Sequence, residues 1–470
     1  MGFMKVRFAA LASVTLLAAG CAGGGGSSSS SSDAVQLAPA GALAYLTIDT
    51  DFSSSQLKSA QAVIDKFPIK AKALQAIRSS LQKQGTNIDT LESSVGPVLD
   101  IAILRVNGKT NAVGFTQPKD EKTFDAQLDK EKTPHTTIDG WTAFADTQPF
   151  LDAVKKRTAN LSDDAVYQAA AKTIPNSGDA ILRVYAATAG LQAALGATAP
   201  SLGAAGNSLN SLATAKWTTA SLTSQDNAFK LDVHTKATST TASAHSGVGL
   251  ASQIPAGSIL ALSLTGGGVL PAKAQPQIAQ LSKQLGVDLG SLLDTLSGPV
   301  VAYVRAGLPL PEVTLAAKPP HPAKSLAAIR QLITKFVHPQ APPVPTKVDG
   351  GTLEKADLGS ISLYYGVNAG ELVVTDSANA LAELKGSIGH VTGDDVFKEA
   401  KDGAGMSDQT QGFLYVDLKD AVPALSGFAQ LANQTIPANV EANLKPLRSL
   451  LIFGSSTTGV QSFTVYLKTS

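Results

Sequence analysis

The segment APAGALAYLTID at residues 38–49 decides the fold, because it returns as IPAGSILALSLT at 254–265 with Pro39 over Pro255. Four further segments return in the same order. VGPVLDIAILRV (95–106) answers SGPVVAYVRAG (297–307), and FADTQPFLDAV (144–154) answers VTDSANALAEL (374–384). SDDAVYQAAAK (162–172) answers GDDVFKEAKDG (393–403), and the closing FKLDVHTK (229–236) answers FTVYLKTS (463–470). Five ordered matches at offsets of roughly 200 to 235 residues are the signature of an internal duplication. The chain is therefore expected to hold two tandem homologous units, 34–238 and 250–470, joined by a linker at 239–249 rich in Ser, Thr, Ala and Gly.

Within each unit the hydrophobic period changes along the chain. Phe229, Leu231 and Val233 alternate with Lys230, Asp232 and His234, and Phe463, Val465 and Leu467 alternate with Thr464, Tyr466 and Lys468, which is the period of a half-buried strand. The apolar members are expected to face the core. Leu74, Ile77 and Leu81, like Ile278, Leu281 and Leu285, recur every three or four residues and predict amphipathic helices, with Pro68 dividing a helical pair. Gly96-Pro97 and Gly298-Pro299 each precede an apolar run, where proline presets a turn and cannot donate a ladder hydrogen bond. Strand pairs such as 215–223 and 228–236 lie close enough for hairpins. The mixture predicts an α+β fold, each unit an antiparallel sheet packed with helices.

The N-terminal residues give an address. Lys5 and Arg7, the apolar run Phe8–Leu17 and then Ala18-Ala19-Gly20-Cys21 carry the marks of a secretory signal too short to span a bilayer. The end of that run resembles a lipobox, with Ala18 where leucine is usual. The resemblance implies a signal peptide at 1–20, cleavage before Cys21, and lipidation of Cys21, the only cysteine. Acyl chains at roughly 0.8 kcal/mol per buried methylene then anchor the chain without a transmembrane helix, a palmitate-type attachment to the extracytoplasmic side of the cell membrane. Residues 21–33, CAGGGGSSSSSSD, read as a flexible tether. Removing Lys5 and Arg7 leaves 36 basic against 37 acidic residues, a balance without the basic patch that nucleic acid requires. With one cysteine no disulfide forms within the chain, so stability rests on packing.

The repeat openings also resemble a bacterial "domain of unknown function" family of secreted and envelope proteins. The Pro-Ala-Gly-x-Leu-Ala-Tyr opening, the Gly-Pro before the next strand, Lys119-Asp120 before a helix, the Asp-Asp-x-x-Tyr/Phe helix start and the following strand carry the likeness. The sequence departs from that pattern at Gly41 and Gly257, where an acidic residue is usual, and at Pro320-His321-Pro322, where the second repeat lacks the Lys-Asp pair. The resemblance implies a fold and no reaction.

Chemical candidates stand on their own residues. Ser55-x-x-Lys58 and Ser80-x-x-Lys83 fit the Ser-x-x-Lys of penicillin-recognising enzymes, but no Ser-Asp-Asn or Lys-Thr-Gly follows. Gly-x-Ser-x-Gly and His-Glu-x-x-His are absent. The histidines at 135, 234, 245, 321, 338 and 390 lack the close spacing that brings imidazoles onto one metal. His321 and His338 flank a helix-like segment, 323–336, and His234 belongs to the polar face of its strand. Asp163-Asp164 and Asp394-Asp395 precede apolar, helix-spaced runs and read as N-terminal caps. Gly266-Gly267-Gly268 reads as a loose turn. The expectation is no catalytic residues, no metal and no cofactor.

Leu182–Leu212 and Leu414–Leu451, rich in Ala, Leu and Gly, either pack helices against a sheet or line a cavity. These observations predict a lipid-anchored, extracytoplasmic binding or scaffold protein of the cell envelope, not an enzyme. The alternative is a carrier for a lipid or other apolar small molecule, with an envelope protein as another possible partner. A hydrolase ranks third.

Overall fold

The computed structural model describes residues 34–83, 95–176, 178–188, 215–237, 251–265 and 275–470, the last with short breaks at 308–309, 338, 360, 409, 432–433 and 458. The chain is α+β. Eighteen strands contribute to a large antiparallel sheet, and twelve α-helices accompany them among the described residues. The contacts divide the chain into two compact units. The first is 1–241 with 457–464 and 469–470, and the second is 242–456 with 465–468.

In the first unit the strands are β1 (Ala44–Asp49), β2 (Val98–Val106), β3 (Lys109–Thr116), β4 (His135–Ile138), β5 (Trp141–Ala145), β6 (Leu182–Ala187), β7 (Ala215–Gln225) and β8 (Ala228–Ala237). They pair antiparallel in the order β8–β7–β6–β1–β2–β3–β5–β4. The β7–β8 hairpin turns on Asp226 and Asn227, both at positive φ, the backbone that a two-residue type I′ loop needs and that Asp and Asn tolerate. Helix α1 (Ser55–Ile64) starts where Ser54 accepts from the Leu57 N–H and buries Leu57, Ala60 and Val63 on one side. Pro68 follows, and α2 (Lys70–Lys83) begins beyond it. In α3 (Glu121–Lys130), capped by Asp120, Phe124 and Leu128 meet the sheet one turn apart. The Phe124 ring lies edge-on to Phe144. Pro149 opens α4 (Gln148–Lys155), and Asp164 caps α5 (Ala165–Ala171) by accepting from Val166 and Tyr167 N–H groups.

In the second unit β9 (Ser258–Leu264), β10 (Val300–Arg305), β11 (Glu312–Ala317), β12 (Val344–Val348), β13 (Gly351–Asp357), β14 (Ser362–Asn368), β15 (Glu371–Thr375), β16 (Gly412–Asp417) and β17 (Leu447–Thr457) run antiparallel. Their order is β17–β16–β9–β10–β11–β15–β14–β13–β12. The helices are α6 (Gln275–Leu285), α7 (Leu289–Asp294), α8 (Pro322–Leu332), α9 (Ala380–Leu384), α10 (Asp395–Ala404), α11 (Leu418–Leu431) and α12 (Ala438–Leu444). Phe397 of α10 packs between Phe413 and Tyr415 at 5.5 and 5.0 Å. Helix α8 follows its proline start, and the segment His321–Val337 closes with a π-helical turn.

The closing strand β18 (Val460–Thr469) departs from expectation twice. It does not stay within its own repeat: residues 457–464 and 469–470 belong to the first unit, where Thr464 donates to Asp232 at 2.7 Å and Ser462 meets His234 at 2.9 Å. Its buried face is also the reverse of the expected one. Tyr466 is 1% exposed and Thr464 is buried, whereas Phe463 is 47% exposed and Val465 and Leu467 keep partial exposure. On β8 likewise Leu231 is exposed.

Candidate functional site

The sheet of the first unit has two faces of different character. On one, Tyr45, Ala102, Tyr185 and Val113 stand in register and join Trp141, Trp217 and Phe150 in the main core. Tyr167 lies edge-on to both Tyr45 and Tyr185. This aromatic face is closed.

The opposite face is aliphatic. One row across it, Leu46–Val184–Ala220–Val233, follows the register of β1, β6, β7 and β8. The neighbouring row is Leu182–Leu222–Leu231. All seven side chains remain partly exposed. Toward β2 and β3 the face is covered by α3, which buries Ile101, Leu99 and Phe144. Beyond Leu222, α1 packs Leu57 and Ala60 with Ile181 and Phe229. Because Thr464 is bonded to Asp232, whose side chain is on the aromatic face, the adjacent Phe463 falls on the aliphatic side beside Leu231 and Val233. In the second unit the same kind of face recurs. Leu260 and Leu262 of β9, Leu414 and Val416 of β16, and Leu450 and Ile452 of β17 are in register and partly exposed.

The polar clusters near these faces serve structure. Asp49, buried at the end of β1, accepts from Ser54 Oγ at 2.6 Å and from the Asp51 N–H at 2.9 Å. Burial pushes its carboxyl up to about 6 despite the Ser54 hydrogen bond. Arg305 donates to Glu312 at 3.0 Å and to Glu383 at 2.6 Å, tying the β10–β11 hairpin to α9. Burial, and then the charge of Glu383, holds Glu312 above the usual carboxylate range. One guanidinium between two carboxylates is a brace, with neither nucleophile nor open coordination position. A cleft of about 500 Å³ at the end of the β2–β3 hairpin is lined by Val106, Asn111, Asp146, Pro149 and Phe150, among others. Within it Asn111 donates to Asp146 at 3.2 Å.

The residues singled out in the sequence do not converge. Ser55 and Lys58 are exposed on α1, while the side chains of Ser80 and Lys83 lie outside the described ones. Cys21, His245, His338 and Gly266–Gly268 also lie outside the described residues. His135 stands 3.9 Å from Asp125, His321 3.1 Å from Asp294, and His234 beside Ser462. Burial lowers the His234 pKa. Among the described residues no three His, Cys, Asp or Glu side chains gather as metal ligands. Asp164 caps as expected. Asp394 occupies the cap position of α10, but its carboxylate accepts from the Gly257 N–H at 2.9 Å instead. Of the two Ala/Leu-rich segments, the first supplies β6 and the second supplies β16, α11, α12 and β17. No described helix is long and apolar enough to cross a membrane.

The aliphatic face was missed by reading one apolar face per strand. Its signal is the near-absence of polar alternation in LRVYAA and SILALSL.

No protein-family model matches the chain, and no curated protein matches it. A solved structure, described as crystal form IV of TP0453, is similar over 44% of this chain and 75% of its own, at 14% identity and a TM-score of 0.24. A likeness at that level transfers neither fold nor function.

Proposed function

We propose that the protein is a lipid-anchored, extracytoplasmic binding or scaffold protein of the bacterial cell envelope, without catalytic activity and without a nucleic-acid partner. The observation that supports a binding role is the pairing, in each unit, of a closed aromatic face with a partly exposed aliphatic one. Contiguous apolar area left accessible is a mark of interaction sites. The same aliphatic character favours a second reading, a carrier for a lipid or another apolar molecule. Anchoring through Cys21 rests on the lipobox residues, and the resemblance to envelope proteins of unknown function agrees with that address.

Descent of the two units from one duplicated sequence belongs to the same proposal. Strand orders β7–β6–β1–β2–β3–β5 and β17–β16–β9–β10–β11–β15 correspond step for step. Pro39 bridges Asn160 where Pro255 bridges His390. Gly96 and Gly298 each press against a carbonyl, of Gln117 and Lys318, at the start of equivalent strands.

Fractionation tests the anchor: Cys21→Ser should move the protein out of the detergent-extracted membrane fraction. A mature, cleaved serine variant that still fractionates with membranes overturns it. Stoichiometric labelling of Ser55 or Ser80 by a β-lactam or fluorophosphonate probe, above a heat-denatured control, overturns the non-catalytic reading.

A further inference from the structure

We infer that the aliphatic strip of the first unit is the seat of a single acyl chain drawn from the phospholipid leaflet to which the protein is tethered. The inference rests on the membrane-anchored reading above and gives it a site and a ligand class.

Three observations carry it. The first is chemical: the two rows Leu46–Val184–Ala220–Val233 and Leu182–Leu222–Leu231 contain no polar or charged side chain. A ligand there has nothing to hydrogen-bond and gains only by burying hydrocarbon, at about 0.8 kcal/mol per methylene. Sugars, peptides and nucleotides would each leave polar groups desolvated and unpaired on such a surface.

The second is dimensional. From β1 through β6, β7 and β8 to Phe463 on β18 the strip crosses four strand spacings, about 19 Å at 4.8 Å each. That is close to the extended length of an acyl chain of about sixteen carbons, and Phe463, 47% exposed, closes the far end. The floor is two rows wide, bordered by α1 beyond Leu222 and closed past β1 by α3, a width that seats one chain.

The third is the position of the tether. Ala34 is fully buried in the first unit, and its backbone N–H donates to Asp100 Oδ2 at 2.8 Å. Only twelve residues, Ala22–Asp33, separate it from Cys21. A Gly/Ser-rich chain of that length spans about 20 Å on average, and at most about 40 Å when extended. The first unit is therefore confined within one protein diameter of the leaflet, where acyl chains are the most abundant apolar groups within reach.

The test uses the full-length protein, reconstituted by its own anchor into phosphatidylcholine vesicles whose sn-2 chain carries a diazirine. After irradiation, adducts are located by peptide mass spectrometry. Labels are expected on peptides carrying Val184, Leu222 and Val233. Val184→Glu should reduce them at least tenfold with the melting temperature unchanged. Ala220→Trp, which fills the strip without adding charge, should reduce them as well and covers the case in which the glutamate variant fails to fold. Labels spread evenly over the surface, or confined to the tether, overturn the inference while leaving the anchor intact. If the Cys21→Ser protein still fractionates with membranes, the anchor fails; if the anchored protein takes no label from the vesicles on its strip yet is labelled there by diazirine-bearing palmitic acid added in solution, the leaflet as source fails and the strip is a site for free fatty acid instead.

Discussion

Gly96 and Gly298 show how tightly single positions are specified. A Cβ at either would lie 1.9 Å from the carbonyl oxygen of the residue just past the neighbouring strand, Gln117 or Lys318. The backbone has to move to accept it, and overpacking of this kind costs about 1–3 kcal/mol. Gly96→Ala and Gly298→Ala should each lower the melting temperature by several degrees, whereas Gly41→Ala, with open space around it, should leave it unchanged. Calorimetry on the three variants decides the point. Asp49 offers a second measurement at this scale. Its carboxyl is raised from 3.8 to about 6 in the folded protein, chiefly by burial. The folded state therefore holds the proton more firmly than the unfolded one. Stability from this group is fully present below about pH 4 and is lost as the pH rises through 6, a change of about 3 kcal/mol. Asp49→Asn should gain on the natural protein steadily between pH 4 and 7. Parallel unfolding curves across that range would contradict the burial of a charge at β1.

The strands show what a sequence reading can and cannot see. Gly-Pro before β2 and β10, Pro68 between α1 and α2, the hairpin of β7 and β8 and the Asp164 cap were legible because each depends on residues close together in the chain. The packed face of β18 was not. Alternation in FTVYLKTS separates the two sides but does not say which side meets helices, and apolar content pointed to the wrong one. Tyr466 is buried, and the close approach of Gly403 leaves room for its hydroxyl. Phe463 and Val465 are left on the aliphatic side. The aliphatic face stayed hidden for the same reason: a strand that is apolar on both sides reads as core. Removing the large buried ring in Tyr466→Ala should cost about 3–5 kcal/mol by the standard for aromatic truncation, and Phe463→Ser should change stability by less than about 0.5 kcal/mol. Chemical denaturation of the two variants separates the alternatives, since the apolar-inward reading reverses their order.

At the scale of the molecule, both tryptophans, Trp141 and Trp217, are buried in the first unit. Their fluorescence thus reports on that unit alone. The first unit nevertheless includes residues 457–464 and 469–470. Lys66 reaches Thr469 Oγ1 at 3.1 Å, and the Thr469 N–H donates to the Asn227 carbonyl at 2.9 Å. Truncation after Ser456 should lower the midpoint of the tryptophan transition, although every deleted residue lies more than two hundred positions beyond Thr241. An unchanged midpoint would show that the closing strand is dispensable to the first unit.

That shared strand reverses the usual order of maturation along a chain. A domain made first ordinarily completes its fold while later residues are still being synthesised. Here the first unit waits for segments that are synthesised after the second unit. Until then β8 presents Asp232 and His234 along an unfinished edge, open to any passing strand. An interrupted or proteolysed product lacking the terminal segment would keep that edge exposed, so intactness of the far end becomes the signal that the near end is finished.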